Sequence, residues 1–192
     1  DKGAVTMLAG RGGETDETAS ESVLHIEVTQ QPPGARHEEI EARLAKVLGS
    51  VRASVEDWPS MMAELDAQIA ELKSSPPPVP AEDLAEGLDF LQWLHDNHFT
   101  FLGHREYVYE HRDGRGYAHL DEDKCLGVLR EVSQESRDRH KEPLPDHYAS
   151  FLEKKELFII SKAWTRSDVH RAVYMDYIGV RRFDADGNVV GE

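Results

Sequence analysis

From residue 35 to residue 73 apolar side chains recur every three or four positions: Ile40, Leu44, Val47, Val51, Val55, Trp58, Met62, Leu65, Ile69 and Leu72. That spacing gathers them on one stripe of an α-helix, facing one partner surface. Pro59 interrupts the stripe, because a proline inside a helix removes one hydrogen bond and costs about 3 kcal/mol. Asp57-Trp58-Pro59 is instead a good restart, with Asp57 as cap and proline in the first turn. Two helices, or one sharply kinked, are expected. The stripe fits either a core face or a coiled-coil seam. A third helix is predicted from Ala81, with Glu82 and Asp83 where the helix dipole favours acids. Its inward face is Leu84, Leu88, Leu91 and Leu94, with Phe90 and Trp93 alongside.

The period changes after the polar break Asp96-Asn97-His98. Over Phe99–Tyr109 it falls to two, with Phe99, Phe101, Gly103, Arg105, Tyr107 and Tyr109 on one face of a strand. Asp113-Gly114 is hairpin-turn chemistry. Short strands are expected near Tyr117–Leu120 and Leu126–Leu129, then a loop and short helix over Ser133–Tyr148. Buried strands follow over Leu157–Ala163 and Val173–Phe183, and a turn at Asp184–Gly187. Ser22–Thr29 also alternates and predicts a strand, ended by Gln30–Gly34. These elements predict an α+β fold, an antiparallel sheet packed by helices and preceded by a helical arm. Residues 1–20 are expected to be a flexible linker and 21–75 a strand plus a kinked helix or helix pair. Residues 76–80 are a proline-rich spacer, and 81–192 an α+β domain truncated at its last hairpin, as in a piece of a longer chain.

Composition narrows the function classes. The chain has 192 residues and a net charge of −15, from 22 basic and 37 acidic side chains, a field that repels phosphate backbones. Nucleic-acid binding is not expected. No apolar run is long enough to span a bilayer, so no membrane contact is expected. The single cysteine, Cys125, excludes an internal disulfide and fits a reducing cytoplasm. Gly10, Gly12 and Gly13 follow a short apolar run as in a phosphate loop. No Lys-Ser/Thr follows them, and Glu14, Asp16 and Glu17 would repel the phosphate.

Candidate chemistry is thin. Among the 10 histidines, His95, His98 and His104 lie closest, without a cysteine pair or a metal-binding helix spacing, so no metal site is assigned. Cys125 has no paired base, and no catalytic residue is assigned. One patch stands out from the acidic background: Ser161–Arg182 carries Lys162, Arg166, Arg171, Arg181 and Arg182 against Asp168 and Asp176. Arg166-Ser167-Asp168 connects two predicted strands, and such strand-end loops commonly hold ligand sites. Guanidinium groups, a serine hydroxyl and backbone amides can grip a carboxylate by charge-assisted bonds. Lys162, Arg166, Ser167, His170 and Arg171 are the candidate effector site. The alternative is that these cations pair with acids and hold a domain contact.

The segments FLQWLHDNHFTFLGHREY, SKAWTRSDVHR and DYIGVRRFDADGNVVGE, in this order, resemble the amino-terminal region of the large bacterial NAD-dependent glutamate dehydrogenases. HIEV at 25–28 and VEDWPSM at 55–61 fit as well, so the resemblance covers residues 21–192. It departs at His104, where tyrosine is expected, and at Trp164-Thr165. The resemblance implies a parent enzyme that oxidises L-glutamate to 2-oxoglutarate and ammonia with NAD, its catalytic and nucleotide-binding domains lying far from this region. It further implies ACT-like modules here, associated with amino-acid sensing and subunit contacts. The expected partners are then the rest of the same chain, homo-oligomer subunits and an amino-acid effector, with no cofactor held in this region.

Overall fold

Three helices precede all the strands in the computed structural model, which describes residues 25–27, 29–30, 34–139, 141–145 and 154–192. The chain falls into two units, Asp1–His37 and Glu38–Glu192. In the first, His25–Glu27, Thr29 and Gln30 are exposed and have no regular structure, with His25 3.7 Å from Glu27. The strand expected over Ser22–Thr29 is therefore absent at its described positions. Alternation alone does not make a strand without a ladder partner, and every ladder among the described residues lies between Gly103 and Gly191. The rest of that strand, the linker over 1–20 and part of the 133–148 loop lie outside the described residues.

α1 (Ala35–Glu56), in the second unit from Glu38 onward, and α2 (Trp58–Ser74) form the expected helix pair. The backbone ladder nearly runs through the junction, with Asp57 N–H donating to Ala53 and Met61 N–H to Asp57. Asp57 does not cap α2 with its side chain. Its carboxylate accepts from the Gly127 amide at 2.8 Å and from the Arg130 guanidinium at 2.6 and 2.8 Å. Those bonds, Arg130's foremost, hold it below the usual carboxylate range. A charged partner out-competes the helix's own amides.

After the Ser74–Pro80 spacer, α3 (Ala81–Trp93) runs into a wide π-type turn, Leu94–His98. Asn97 adopts a left-handed conformation (φ 63°) and reverses the chain toward the strands. Leu91 and Leu94 are buried with Ile69, Leu72 and Leu157, and Leu84, Leu88, Phe90, Phe99 and Phe101 pack around them. The core thus joins α2 to α3 across the proline run, so the spacer does not divide two cores. Proline there sets the direction of the chain rather than a domain boundary.

β1 (Gly103–Arg112) and β2 (Arg115–Gly127) form a long hairpin, with Tyr109 opposite Ala118 and Arg112 opposite Arg115. Asp113 and Gly114 both have positive φ (51° and 74°), as the tight hairpin turn requires. The two short strands expected over 117–129 are one continuous strand, and β1 starts four residues later than expected. Phe99 and Phe101 lead into it from the core, and a register shift between His104 and Glu106 breaks the simple alternation. A short helix, α4 (Gln134–Arg139), follows.

β3 (Phe158–Arg166) and β4 (Tyr174–Val180) make a separate two-stranded sheet. β5 (Arg182–Phe183) and β6 (Val189–Gly191) return to the first sheet, whose order is β2-β1-β6-β5. The strand expected over Val173–Phe183 is cut at Arg181, which is 0% exposed. Its Nη1 donates to Lys154 and Glu156 carbonyls at 2.8 and 2.9 Å. All pairings are antiparallel, and the fold is α+β. No helix among the described residues is long and apolar enough to cross a membrane.

Candidate functional site

The β3–β4 hairpin carries all five predicted effector residues. Lys162 lies on β3, where its ammonium pairs with Asp176 on β4. Arg166 ends the strand, donates to the Ala172 carbonyl at 2.8 Å and stacks over the Tyr174 ring at 5.7 Å. Ser167 is buried, and its hydroxyl both donates to the Val169 carbonyl (2.6 Å) and accepts from the Val169 amide (3.0 Å). Serine favours such local turns because its short side chain reaches backbone two residues away. His170, at positive φ (66°), and Arg171 are exposed at the tip. The hairpin thus brings Arg166, Ser167, His170 and Arg171 into one loop and leaves Lys162 four residues back along the strand. The serine hydroxyl and part of the Arg166 guanidinium are engaged by the hairpin, while both Arg166 and Arg171 are exposed.

The cationic patch read from sequence is divided by the fold. Arg181 goes into the interior, and Arg182 turns to the other sheet, donating to the Tyr107 carbonyl and lying 3.0 Å from Glu106. Trp164, between Lys162 and Arg166, is 94% exposed. Tryptophan is among the side chains enriched where proteins make contacts.

A second polar cluster is invisible in the sequence, because its members lie on four elements. Lys124 on β2 sits 2.7 Å from Glu64 on α2 and 3.7 Å from Glu106 on β1, which Arg182 on β5 also pairs. His104 joins at 3.8 Å from Glu106. Glu64, His104 and Glu106 are the one group among the described residues whose donor atoms converge as metal ligands would. The Lys124 ammonium and Arg182 guanidinium already balance the two carboxylates, so the cluster is best described as an ion-pair network tying helix to sheet. Burial depresses the His104 imidazole below its ordinary value, against the pull of Glu106 and Glu64.

Cys125 is buried, and burial raises its thiol above the ordinary range. Lys124 points to Glu64 instead, and the downward pull of Arg105 on the thiol does not offset its burial, so the thiol stays protonated. Tyr177 bonds the Glu192 carboxylate, and burial pushes both Tyr109 and Tyr177 well above the usual phenol value. Both phenols are partly buried and remain neutral at ordinary pH.

No family model matches the chain. It is similar to the NAD-specific glutamate dehydrogenase of Halomonas elongata, 38% identical over 183 residues, covering 93% of this chain and 11% of that protein. It is also similar to the NAD-specific glutamate dehydrogenase of Pseudomonas aeruginosa, 33% identical over 194 residues, covering 100% of this chain and 12% of that protein. The chain spans about a tenth of the length of the curated relatives it matches. Over nearly all of its residues the chain is thus similar to a segment of the NAD-specific glutamate dehydrogenases.

Proposed function

We propose that this chain is a regulatory and assembly segment of a large, cytoplasmic NAD-dependent glutamate dehydrogenase. The parent reaction converts L-glutamate, NAD and water to 2-oxoglutarate, ammonia and NADH. The observation that carries the reading is the alignment: almost every residue here matches about a tenth of a much longer NAD-specific enzyme. Chemistry on glutamate then belongs to the remaining length, and this ACT-like module supplies control and contacts.

In the effector reading, an amino acid's carboxylate is gripped at the β3–β4 loop by Arg166 and Arg171, with His170 beside them and Lys162 behind. What supports it is the pair of exposed guanidinium groups on a loop whose backbone is already fixed by its own hydrogen bonds. An effector that binds one arrangement of the assembly more tightly shifts the population toward it. Titration calorimetry of the 192-residue chain with a panel of acidic and basic amino acids tests this. Heat of binding that disappears in Arg171→Ala is the expected result; no heat at millimolar ligand overturns it.

A second reading is favoured by Trp164. An open indole flanked by Lys162 and Arg166 also suits a purely structural contact, with the same cations forming inter-subunit ion pairs and no ligand.

A further inference from the structure

Glu64 on α2 and His104 and Glu106 on β1 each place one donor atom within 4.8 Å of the other two. Glu106 Oε1 is 3.8 Å from His104 Nε2, and Arg182 holds the other oxygen of that carboxylate at 3.0 Å. Lys124 Nζ stands 2.7 Å from Glu64 Oε1 and 3.7 Å from Glu106 Oε1. A positive charge thus already sits between the two carboxylates, on a flexible stem that is 40% exposed. His104 Nε2 is the exception in this network. It is sealed from solvent and hydrogen-bonds to no protein atom, since 3.8 Å is too long. Buried polar atoms are nearly always paired, so an orphaned nitrogen beside two carboxylates calls for a ligand.

We propose that Glu64, His104 and Glu106 bind a divalent transition metal of the zinc class, which takes the place of the Lys124 ammonium. The ammonium satisfies the carboxylates and leaves the imidazole nitrogen unpaired, whereas a metal ion satisfies all three. One imidazole and two carboxylates are donors that zinc accepts, while magnesium and calcium favour oxygen alone. Tetrahedral ligands about 2.1 Å from zinc stand roughly 3.4 Å apart. The 3.8 Å pair is therefore nearly set, and side-chain rotation brings in Glu64. Arg182 stays on Glu106 and fixes the orientation of its carboxylate, as outer partners of metal ligands do. The displaced Lys124 reaches solvent, and the ion clamps α2 to β1 in its stead. This site shares no residue with the β3–β4 loop and stands whether or not that loop binds an effector.

Calorimetric titration of the chelator-treated 192-residue chain with Zn²⁺ tests the site. Binding is expected, together with a thermal midpoint that rises as Zn²⁺ is added. His104→Gln is expected to weaken that binding at least about tenfold, the least that losing even an outer partner of a metal ligand costs. Lys124→Met, which removes the competing ammonium, is expected to tighten it. Changes of opposite sign in the two variants cannot both arise from misfolding. Co²⁺ in place of zinc reports the donors, and only nitrogen and oxygen ligation is expected in its visible absorption. An intense near-ultraviolet thiolate band would assign the metal to Cys125 and overturn the site. Absence of binding overturns it too, as does binding that His104→Gln leaves unchanged, the metal then sitting on other histidines. Affinity unchanged in Lys124→Met overturns the exchange of ammonium for metal.

Discussion

Arg181 shows how far one side chain can depart from its sequence reading. In the string Val180-Arg181-Arg182-Phe183 the two arginines look alike, yet one is fully buried and the other pairs with Glu106 on a different sheet. Nothing local distinguishes them; the difference comes from the Lys154–Glu156 carbonyls 25 and 27 residues away. Arg181→Met leaves those acceptors facing apolar atoms and is expected to cost about 3 kcal/mol, read as a lower urea midpoint. Arg166→Met, on the exposed loop, is expected to stay within about 0.5 kcal/mol of wild type. His104 adds a pH dependence. Its depressed pKa means that the folded chain binds fewer protons than the unfolded one, so stability rises with pH. The loss begins as pH falls through the unfolded value of about 6.5 and continues toward the lower folded value. His104→Gln is expected to flatten the fall in stability between pH 7 and pH 5. Equal slopes for the two proteins would show that His104 is hydrated like a free histidine.

Among the elements, what the sequence made legible was whatever is decided locally. The helix restart at Pro59, the inward leucines of α3 and the Asp113-Gly114 turn all follow from backbone chemistry within a few residues. Partner choice was not legible. Val47 was expected in the stripe and is half-buried, whereas Leu48, outside that stripe, is exposed like Leu44 and Val55, because a 3.6-residue period leaves neighbouring positions ambiguous by a fraction of a turn. The same limit hid the Arg181 break and the Glu64–Lys124–Glu106 network. The five candidate residues share one hairpin because they are close in sequence, Lys162 and Arg166 on β3 and the other three in its loop; the use of the Ser167 hydroxyl by its own turn was not foreseeable from residue types. Gly127 is a further example. It ends β2 at φ +63°, and a Cβ there would stand 2.2 Å from the Leu102 carbonyl oxygen. The left-handed backbone alone costs a non-glycine residue about 1–3 kcal/mol. Gly127→Ala is therefore expected to lower the thermal midpoint, and to loosen the adjoining Asp57–Gly127 bond, measured as faster amide exchange at Gly127.

For the molecule as a unit, the proline run decides between two architectures. If Ser74–Pro80 were a domain boundary, residues 81–192 would carry a complete core. Instead Leu91, Leu94 and Leu157 share theirs with Ile69 and Leu72 from the other side of the spacer. Each of those two side chains contributes about 1.5–3 kcal/mol by burial, and losing both also exposes the leucines they cover. A typical domain has about 5–15 kcal/mol of net stability, so removing α2 takes most of it. Residues 81–192 alone are expected to retain strand signal by circular dichroism but to bind a hydrophobic dye and to lose a cooperative urea transition. Residues 38–192 should keep the transition of the full chain. The contrast separates packing from chain length, because Leu72→Ala in the full chain removes part of the same cover without cutting anything. That substitution is expected to cost about 2–5 kcal/mol. A fragment 81–192 that unfolds cooperatively at the full-chain midpoint would restore the boundary.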